Sequence, residues 1–521
     1  MTVFIEAFKK QSRFFSAIGS QLQSYLCSIG SSEELVIRPL SKTLFQHNSY
    51  SFQDSYKKLS GSITSEESRV IFFTAELKSG KKISDFLLFL NTHSEVILTT
   101  KSTDLKSHDL NVSISYLVKW CREIIGSTPM LFLSDNESLT SIDQFKDSLL
   151  NTPGEAIILT AGPSISALES SYAYDAAKYG WNSSWSKYLS RFEQEFAEFI
   201  GADYALATSS CTGALQIALM TLDIGPGDEV IVPDETWVAT ANAVRYVGAT
   251  PVFADIELDS WNIDAKSVEN LITSKTKAIM PVHMYGHPAR MDAIVDLAKK
   301  YDLHIVEDAA PAIGAEWKGQ RCGTFGDFAG FSFQGAKLLV TGEGGMLVTS
   351  NKDLYEKAKK IWDQGRNPNK IFWIDADGVK FKMSNVQAAV GLGQIQRADE
   401  LIEMKRRVFS WYEEGLGDVP GIHLNKEVEE ARSIYWMSSI FLDQTIDISR
   451  EHLIDSLRKQ NVDSRPVFPA ISQYPIWPRK QEPQPTALLV GQRAMNLPSG
   501  VCLRRDEVMY VCEKIREILG K

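Results

Sequence analysis

A lysine beside a glycine-rich turn is the first residue of this chain whose type and position could do covalent chemistry. Residues 325–333 form a loop followed by a short apolar run, which predicts a buried strand, and Lys337 follows the end of that run. The glycines of Thr341-Gly-Glu-Gly-Gly345 allow a tight turn there. A lysine that a rigid scaffold shields from water has a lowered pKa, and its neutral amine can form a Schiff base with an aldehyde. The alternative is a solvated lysine in a surface turn.

A pair of carboxylates ends an apolar run upstream of this lysine, in the segment Ile305-Val-Glu-Asp308. A carboxylate at a strand end can pair with a pyridinium nitrogen and keep it protonated, which makes pyridoxal phosphate an electron sink. The alternative is an aspartate that caps the next helix.

Small hydroxyl residues precede a helical run further upstream, in Thr208-Ser-Ser-Cys-Thr-Gly213. The N-terminus of a helix offers unpaired N–H groups and a favourable dipole to a phosphate, although the same residues also serve as an ordinary N-cap. Together, the lysine, the acidic strand end and this phosphate cup are the parts of a pyridoxal phosphate site.

The chain from about residue 158 to its C-terminus resembles the sugar aminotransferases of the DegT/DnrJ/EryC1/StrS family. The segments that carry the resemblance are collinear and include Gly225-Pro-Gly-Asp-Glu-Val-Ile-Val-Pro233, Pro281-Val-His-Met-Tyr-Gly-His287, Gly323-Thr-Phe-Gly-Asp327, Met383-Ser-Asn385 and Asn496-Leu-Pro498. The resemblance implies an α/β fold of the aspartate-aminotransferase type (fold type I) with a small C-terminal α+β domain. It also implies a homodimer, or a higher homo-oligomer, with active sites at the subunit interface.

The same resemblance assigns the residues of the cofactor site. Lys337 is the implied catalytic Schiff-base lysine, Asp308 the partner of the pyridinium nitrogen and Trp237 the aromatic residue that stacks on the ring. Ser332, Cys211 and Thr212 match the phosphate site, and Asn385 matches an asparagine that reaches the phosphate from the neighbouring subunit. Cys211 departs from the family, in which many members have glycine, so it could bind only through its backbone N–H. Pro311 is a second departure, because many family members have Gln, Glu or His at this position and proline has no side-chain hydrogen-bond donor.

Basic residues near the implied mouth of the site are candidates for binding a diphosphate. These are Arg366, Lys382 and Arg465, for which the alternative is solvated surface charge. His283 and His287 lack the further ligands of a metal site, so no metal is expected.

The length of 521 residues predicts two or three domains. The boundaries that we expect are 1–150 for a small α/β accessory domain of unknown role, 151–399 for the large cofactor-binding domain and 400–521 for the small domain. In the first, residues 34–37, 69–73, 95–98 and 129–133 read as strands, and residues 83–90 and 113–125 read as helices, which predicts a parallel sheet with crossovers. Residues 4–29 have the apolar spacing of a helix that packs on its own domain.

Composition limits the partners. A net charge of −10 argues against general binding of nucleic acid or anionic membranes. The six scattered cysteines are typical of reduced thiols in a cytosol, and no apolar run is long enough to span a bilayer. A cytoplasmic location is therefore expected.

The function that the resemblance implies is transfer of the amino group of L-glutamate to C4 of a nucleotide-linked 4-keto-6-deoxy sugar. GDP-4-keto-6-deoxy-D-mannose is the first choice, which gives GDP-perosamine for an O-antigen or another surface glycan. The alternatives are a UDP- or dTDP-linked keto sugar, or a cofactor-binding regulator or scaffold without turnover.

Overall fold

The computed structural model describes residues 157–183, 185–477 and 481–521, together with six strands nearer the N-terminus. The chain divides into two compact units. One comprises Met1–Asn151 with Ile165–Ser171, and the other comprises Thr152–Ser164 with Tyr172–Lys521. The domain boundary expected near residue 399, within the second unit, stays a prediction.

The described strands of the first unit form one six-stranded sheet in the order β1-β2-β3-β4-β5-β6. They are β1 (Leu35–Pro39), β2 (Arg69–Leu77), β3 (Lys82–Leu90), β4 (Val96–Lys101), β5 (Met130–Leu133) and β6 (Leu139–Ser141). The four predicted strands are confirmed. The predicted parallel sheet is wrong, because only β4 and β5 pair in parallel and every other neighbouring pair is antiparallel.

The helix predicted over residues 83–90 is also wrong, because this segment is strand β3. Its apolar run of five residues has no periodicity that separates a buried strand from a helix. The helices predicted over residues 4–29 and 113–125 lie outside the described residues.

A seven-stranded sheet is the centre of the second unit, in the order β7-β15-β14-β11-β10-β8-β9. The strands of this sheet are β7 (Tyr204–Thr208), β8 (Glu229–Pro233), β9 (Thr250–Ala254), β10 (Thr276–Ile279), β11 (His304–Asp308), β14 (Phe328–Ser332) and β15 (Gly345–Thr349). Two short strands, β12 (Glu316–Trp317) and β13 (Gln320–Arg321), lie between β11 and β14 in the chain and are not part of this sheet. β15 runs antiparallel to both of its neighbours, whereas the other pairings are parallel.

Helices follow most of these strands, an alternation that is typical of an α/β fold. In the described part they are α1 (Ala167–Tyr179), α2 (Lys187–Ile200), α3 (Cys211–Thr221), α4 (Ala239–Tyr246), α5 (Ala265–Leu271), α6 (Met291–Tyr301), α7 (Lys352–Trp362), α8 (Asn385–Gln396), α9 (Ala398–Leu416), α10 (Arg450–Arg458), α11 (Pro485–Arg493) and α12 (Arg505–Leu519). Ser384 and Gln387 form a capping box at the start of α8, which ends at Gln396, and α9 begins at Ala398.

Both faces of the central sheet are buried. Successive residues of β15 alternate between two core clusters: Met346 and Val348 pack with residues of α2 and α8, and Leu347 packs with residues of α3. Strands that are covered on both faces are continuous apolar runs, as residues 346–348 of β15 are.

The C-terminal part adds a smaller sheet and its helices, as expected for an α+β domain. Its strands are β16 (Ile422–Leu424), β17 (Ala431–Arg432), β18 (Ser439–Leu442), β19 (Arg465–Pro466) and β20 (Ala494–Asn496). Four of them form an antiparallel sheet in the order β16-β18-β20-β19, and β17 joins β12 and β13 in a separate small sheet. Apolar residues of α9, α10 and α12 pack against the four-stranded sheet in a third core cluster. Among the helices that the structure describes, none combines the length and the apolar character that crossing a membrane requires.

Candidate active site

Lys337 lies in the short connection between the neighbouring antiparallel strands β14 and β15. Hydrogen bonds close this connection from both sides: the amide of Phe333 donates to the carbonyl of Gly344 (2.9 Å), and the amide of Thr341 donates to the carbonyl of Phe333 (2.8 Å). The amide of Lys337 itself donates to the carbonyl of Gln334 (2.8 Å). The lysine is therefore held by a tight backbone scaffold at the end of a central strand, as predicted.

The surroundings of Lys337 make its amine reactive near neutral pH. Burial lowers the pKa of Lys337 to about 8, although the negative charge of Asp308 and the Cys211 thiol act in the opposite direction. Its Nζ lies 3.7 Å from the centroid of the Trp436 ring. A substantial fraction of the amine is neutral at pH 8, and the neutral amine is the nucleophile.

Asp308 is the last residue of β11, and its carboxylate is buried among hydrogen-bond donors. Thr240 Oγ1 donates to Oδ2 (2.7 Å), the amide of Ala310 donates to Oδ1 (3.1 Å), and Cys211 Sγ lies 3.9 Å from Oδ1. Burial raises the pKa of Asp308, whereas these bonds and the charge of Lys337 lower it. The arrangement suits a carboxylate that receives a cationic partner.

The predicted phosphate cup lies at the N-terminus of helix α3, where Ser210 is the N-cap. The hydroxyl oxygen of Ser210 accepts a hydrogen bond from the amide of Gly213 (3.1 Å). Cys211 is the first helical residue, and its thiol is buried beside Asp308. Burial, with the nearby Asp308 charge, raises the pKa of the Cys211 thiol well above its ordinary value. The thiol therefore stays neutral and does not repel a phosphate. Thr212, partly exposed, is the next residue of the same turn.

A close approach of strand β15 to this helix defines one wall of the cup. Ser332, buried at the end of β14, pairs with Gly345, which in turn pairs with Thr208 of β7. A Cβ added at Gly345 would lie 2.4 Å from the carbonyl carbon of Ser210 and 2.5 Å from the amide nitrogen of Cys211. Only a glycine fits there, and the pairing brings Ser332 to the same edge of the sheet as the helix N-terminus.

Trp237 lies just before helix α4 with 56% of its surface exposed. Its ring is 5.4 Å from that of Phe468. One turn later on the same segment, Thr240 binds Asp308, so this segment ties the aromatic ring to the buried carboxylate. Sequence reasoning missed Thr240, although a hydroxyl inside Thr236-Trp-Val-Ala-Thr240 was a signal for it.

Asn385 opens helix α8, and its side chain is divided between two environments. Its Oδ1 accepts from the amides of Tyr188 (3.1 Å) and Leu189 (3.3 Å), at the N-terminus of α2. Its Nδ2 is buried and has no hydrogen-bond partner among the described residues. Its expected role at the phosphate of a neighbouring subunit stays a prediction.

The three basic candidates for substrate binding fall into two groups. Arg366 and Lys382 both approach the Oδ1 of Asp363, at 3.8 Å and 2.5 Å. Arg465 is exposed on strand β19 and lies 3.4 Å from Asp463. The structure brings the first two together on one carboxylate and gives Arg465 a separate partner, so the substrate role of all three stays a prediction.

Comparison with known proteins gives this geometry a context. Residues 163–516 match the model of the DegT/DnrJ/EryC1/StrS aminotransferase family. The chain is 41% identical over 355 residues to a GDP-perosamine synthase of Escherichia coli O157:H7, a match that covers 68% of this chain and 96% of that protein. It is 37% identical over 364 residues to a GDP-perosamine synthase of Caulobacter vibrioides, a match that covers 70% of this chain and 98% of that protein.

Comparison with solved structures also finds aminotransferases. The crystal structure of DesI in the presence of its TDP-sugar product matches with a TM-score of 0.66 at 28% identity, and the match covers 71% of this chain and 95% of that one. The anchored lysine, the acidic strand end and the N-terminus of α3 thus occur in a chain that matches the family over most of its length. The chain belongs to the DegT/DnrJ/EryC1/StrS family of pyridoxal phosphate-dependent sugar aminotransferases of fold type I.

Proposed function

We propose that this aminotransferase moves the amino group of L-glutamate to C4 of GDP-4-keto-6-deoxy-D-mannose and so makes GDP-perosamine. The observation that carries the reaction type is Lys337, whose pKa is about 8 and whose amine lies within the field of the buried Asp308. The choice of sugar rests on the two GDP-perosamine synthases, which the chain matches over 96% and 98% of their lengths. The accessory domain at residues 1–150 has no part in this proposal.

The described residues fit pyridoxal phosphate. A buried carboxylate at Asp308 suits a protonated ring nitrogen, the α3 N-terminus suits a phosphate, and the glycine at position 345 leaves room where a side chain would strike Cys211. The unpartnered Nδ2 of Asn385 is a further donor that an anion from a neighbouring copy could use. When bound, this cofactor supplies an electron sink for the carbon that loses or gains the amine.

The chain's own residues then have separate tasks. Lys337 binds the aldehyde and, when its amine is free, holds and returns a proton, because a pKa of about 8 lets it do both near neutral pH. Thr240 and Ala310 orient the carboxylate of Asp308, and its negative charge stabilises a positive charge beside its oxygens. Trp237 offers an exposed ring face for stacking, and Ser332, Thr212 and the amide of Cys211 are proposed to bind the phosphate.

Further parts of the proposal concern assembly and location. The enzyme acts as a homodimer in which Asn385 completes the partner's phosphate site, and Arg366, Lys382 and Arg465 bind the diphosphate of the nucleotide sugar. A cytoplasmic location fits a nucleotide-sugar substrate and the reduced thiols of Cys211, Cys322, Cys502 and Cys512.

The visible spectrum of the purified protein with pyridoxal phosphate tests the proposal. We expect a band of lysine-bound cofactor that glutamate removes and that GDP-4-keto-6-deoxymannose restores. Removal without restoration would reject the GDP sugar and favour a UDP- or dTDP-linked keto sugar, each of which is added in a parallel cuvette.

The Lys337→Ala variant tests the site assignment. We expect it to lose the band and to carry no cofactor on any lysine after borohydride reduction and peptide mass spectrometry. Lys318→Ala, at an exposed lysine that pairs with Asp292 and Glu430, is the matched control and should keep the band. A band that survives in Lys337→Ala would overturn the assignment.

A further inference from the structure

Trp436 contacts both the backbone and the side chain of the Lys337 segment, although a hundred residues separate them in sequence. Its indole Nε1 donates to the carbonyl of Ala336 (2.7 Å), the residue that precedes the lysine. Its ring centroid lies 3.7 Å from the Nζ of Lys337. One side chain thus meets the lysine at two points, from a segment just before strand β18.

Trp436 is itself firmly placed. Its side chain is buried, and its ring lies nearly parallel to that of Tyr285, at 5.9 Å and 18°. The backbone of Gly286 passes so close that an added Cβ would lie 2.7 Å from the amide nitrogen of Trp436. On the other side, the buried amine of Lys405 donates to the carbonyl of Trp436 (2.8 Å) and also to that of Ser499. The indole is therefore a fixed surface against which a flexible side chain can rest.

We propose that Trp436 is a positioning residue for Lys337: its N–H fixes the backbone before the lysine, and its ring face holds the protonated side chain when no cofactor is attached to it. The inference deepens the proposed function, on which it rests to the extent that Lys337 is the reacting amine. A lysine side chain has four rotatable bonds, so an amine without such a surface would sample many positions.

The ring also has an electrostatic effect whose sign is fixed. The negative face of an indole attracts an ammonium and not a neutral amine, so it raises the pKa of the lysine. Burial acts the other way and lowers the pKa of Lys337 to about 8. A leucine in place of the ring keeps an apolar side chain beside the amine but lacks the negative face, so burial acts with less opposition and the pKa falls further.

The reactivity of Lys337 in cofactor-free protein measures this effect directly. The protein is methylated with formaldehyde and cyanoborohydride from pH 6 to 10, and the rate at the Lys337 peptide is read by mass spectrometry. We expect a wild-type midpoint near pH 8. In Trp436→Leu we expect the midpoint to fall by roughly half to one pH unit, as loss of a cation–π contact predicts.

Trp436→Phe separates the two contacts, because it keeps a ring face and loses the N–H donor. We expect its midpoint to stay close to that of the wild type, while amide hydrogen exchange in residues 333–344 becomes about fivefold faster, as loss of one hydrogen bond predicts. This variant preserves most of the volume, so it carries the test even if Trp436→Leu does not fold.

A matched control exists at Trp317, which is also buried, donates its Nε1 to Asp292 (2.8 Å) and has Lys318 over its ring (5.7 Å). It belongs to a different core cluster from Trp436. Trp317→Leu and Trp317→Phe should leave both readouts at Lys337 as in the wild type.

Two results in the Trp436 variants would overturn the inference: an unchanged or raised midpoint in Trp436→Leu, or unchanged exchange in Trp436→Phe. Equal effects in the Trp317 variants would also overturn it, because they would reveal a general loss of stability. The methylation assay needs neither cofactor nor sugar, so a failure of the proposed sugar reaction leaves its result unaffected.

Discussion

Thr240 donates its hydroxyl to Asp308 across 2.7 Å, from the first turn of helix α4 to the end of strand β11. The hydroxyl of Thr236 lies 3.2 Å from that of Thr240, so the donor belongs to a small buried network. This bond lowers the pKa of Asp308 against the effect of burial, which raises it. The carboxylate that is proposed to stabilise the cofactor therefore depends on a residue that sequence reasoning missed.

Replacing Thr240 by valine keeps the shape of the side chain and removes the donor. A hydrogen bond to a charged group contributes about 1.5–3 kcal/mol, so we expect the affinity for pyridoxal phosphate to fall by at least tenfold. Spectroscopic titration of the cofactor measures this change. Thr240→Ser keeps the hydroxyl and should bind nearly as well as the wild type, and equal affinity in the valine and serine variants would contradict the prediction.

Gly345→Ala tests the wall of the phosphate cup. The new Cβ would lie 2.4–2.5 Å from backbone atoms of Ser210 and Cys211, which cannot move without the helix. We expect a loss of about 1–3 kcal/mol in the free energy of unfolding of this unit, together with weaker cofactor binding. Urea denaturation and cofactor titration measure the two effects. Gly225→Ala is the control, because its Cβ would meet Val247 at an ordinary 3.6 Å.

The two neighbouring carboxylates of β11 illustrate what the sequence could predict. Ile305-Val-Glu-Asp308 indicated an acidic strand end, and the structure has it. Because successive strand residues face opposite sides, Asp308 lies at the site, whereas Glu307 is buried elsewhere and accepts from the amides of Gly323 (2.7 Å) and Phe325 (2.8 Å). The sequence pattern predicted an acidic strand end, but the pattern alone did not say which of the two carboxylates faces the site. The opposite orientation of successive strand residues decides that.

Contacts between distant segments were beyond reach of the sequence. Trp436 is not near Lys337 in the chain, and no periodicity relates the two, so its part in the site could be found only from the fold. The segment 83–90 failed for a different reason, since its short apolar run fits a strand and a helix equally. At Arg397, between α8 and α9, no glycine or proline lies within three residues on either side, so the sequence does not indicate the break.

Glu307 anchors the loop that leads into β14. His283 accepts at Nδ1 from the amide of Ala289 (3.1 Å), so its Nε2 carries the proton and donates to Glu307 (3.0 Å). In Glu307→Gln an NH₂ group replaces an acceptor oxygen and faces donors. We expect a loss of about 2–4 kcal/mol in the free energy of unfolding, measured by urea denaturation. Glu316→Gln, at a partly exposed carboxylate 3.8 Å from Arg321, should have little effect.

Glu235 predicts a pH dependence of stability. It is fully buried, and neither carboxylate oxygen has a hydrogen-bond partner among the described residues. Burial, with the neighbouring Asp234 charge, raises the pKa of Glu235 well above its ordinary value. The folded state therefore keeps a proton that the unfolded state releases above about pH 4.5, so this residue lowers stability as the pH rises.

Glu235→Gln is neutral at every pH and removes that effect. Between pH 5 and pH 8 we expect the wild type to lose stability relative to the glutamine variant, which urea midpoints at the two pH values measure. Glu198→Gln, on the exposed surface of α2, should follow the wild type. A constant difference between wild type and Glu235→Gln across this range would show that Glu235 is ionised in the folded state.

The antiparallel strand β15 has a mechanical consequence for catalysis. Because the chain returns after residues 333–344 and pairs back onto β14, both ends of the Lys337 connection are anchored in the seven-stranded sheet. The lysine cannot be carried away by a swinging loop, and its reach equals the length of its own side chain. The reacting amine is thus a stationary point of the enzyme, and in the proposed reaction the keto carbon of the sugar must be brought to within the reach of one side chain.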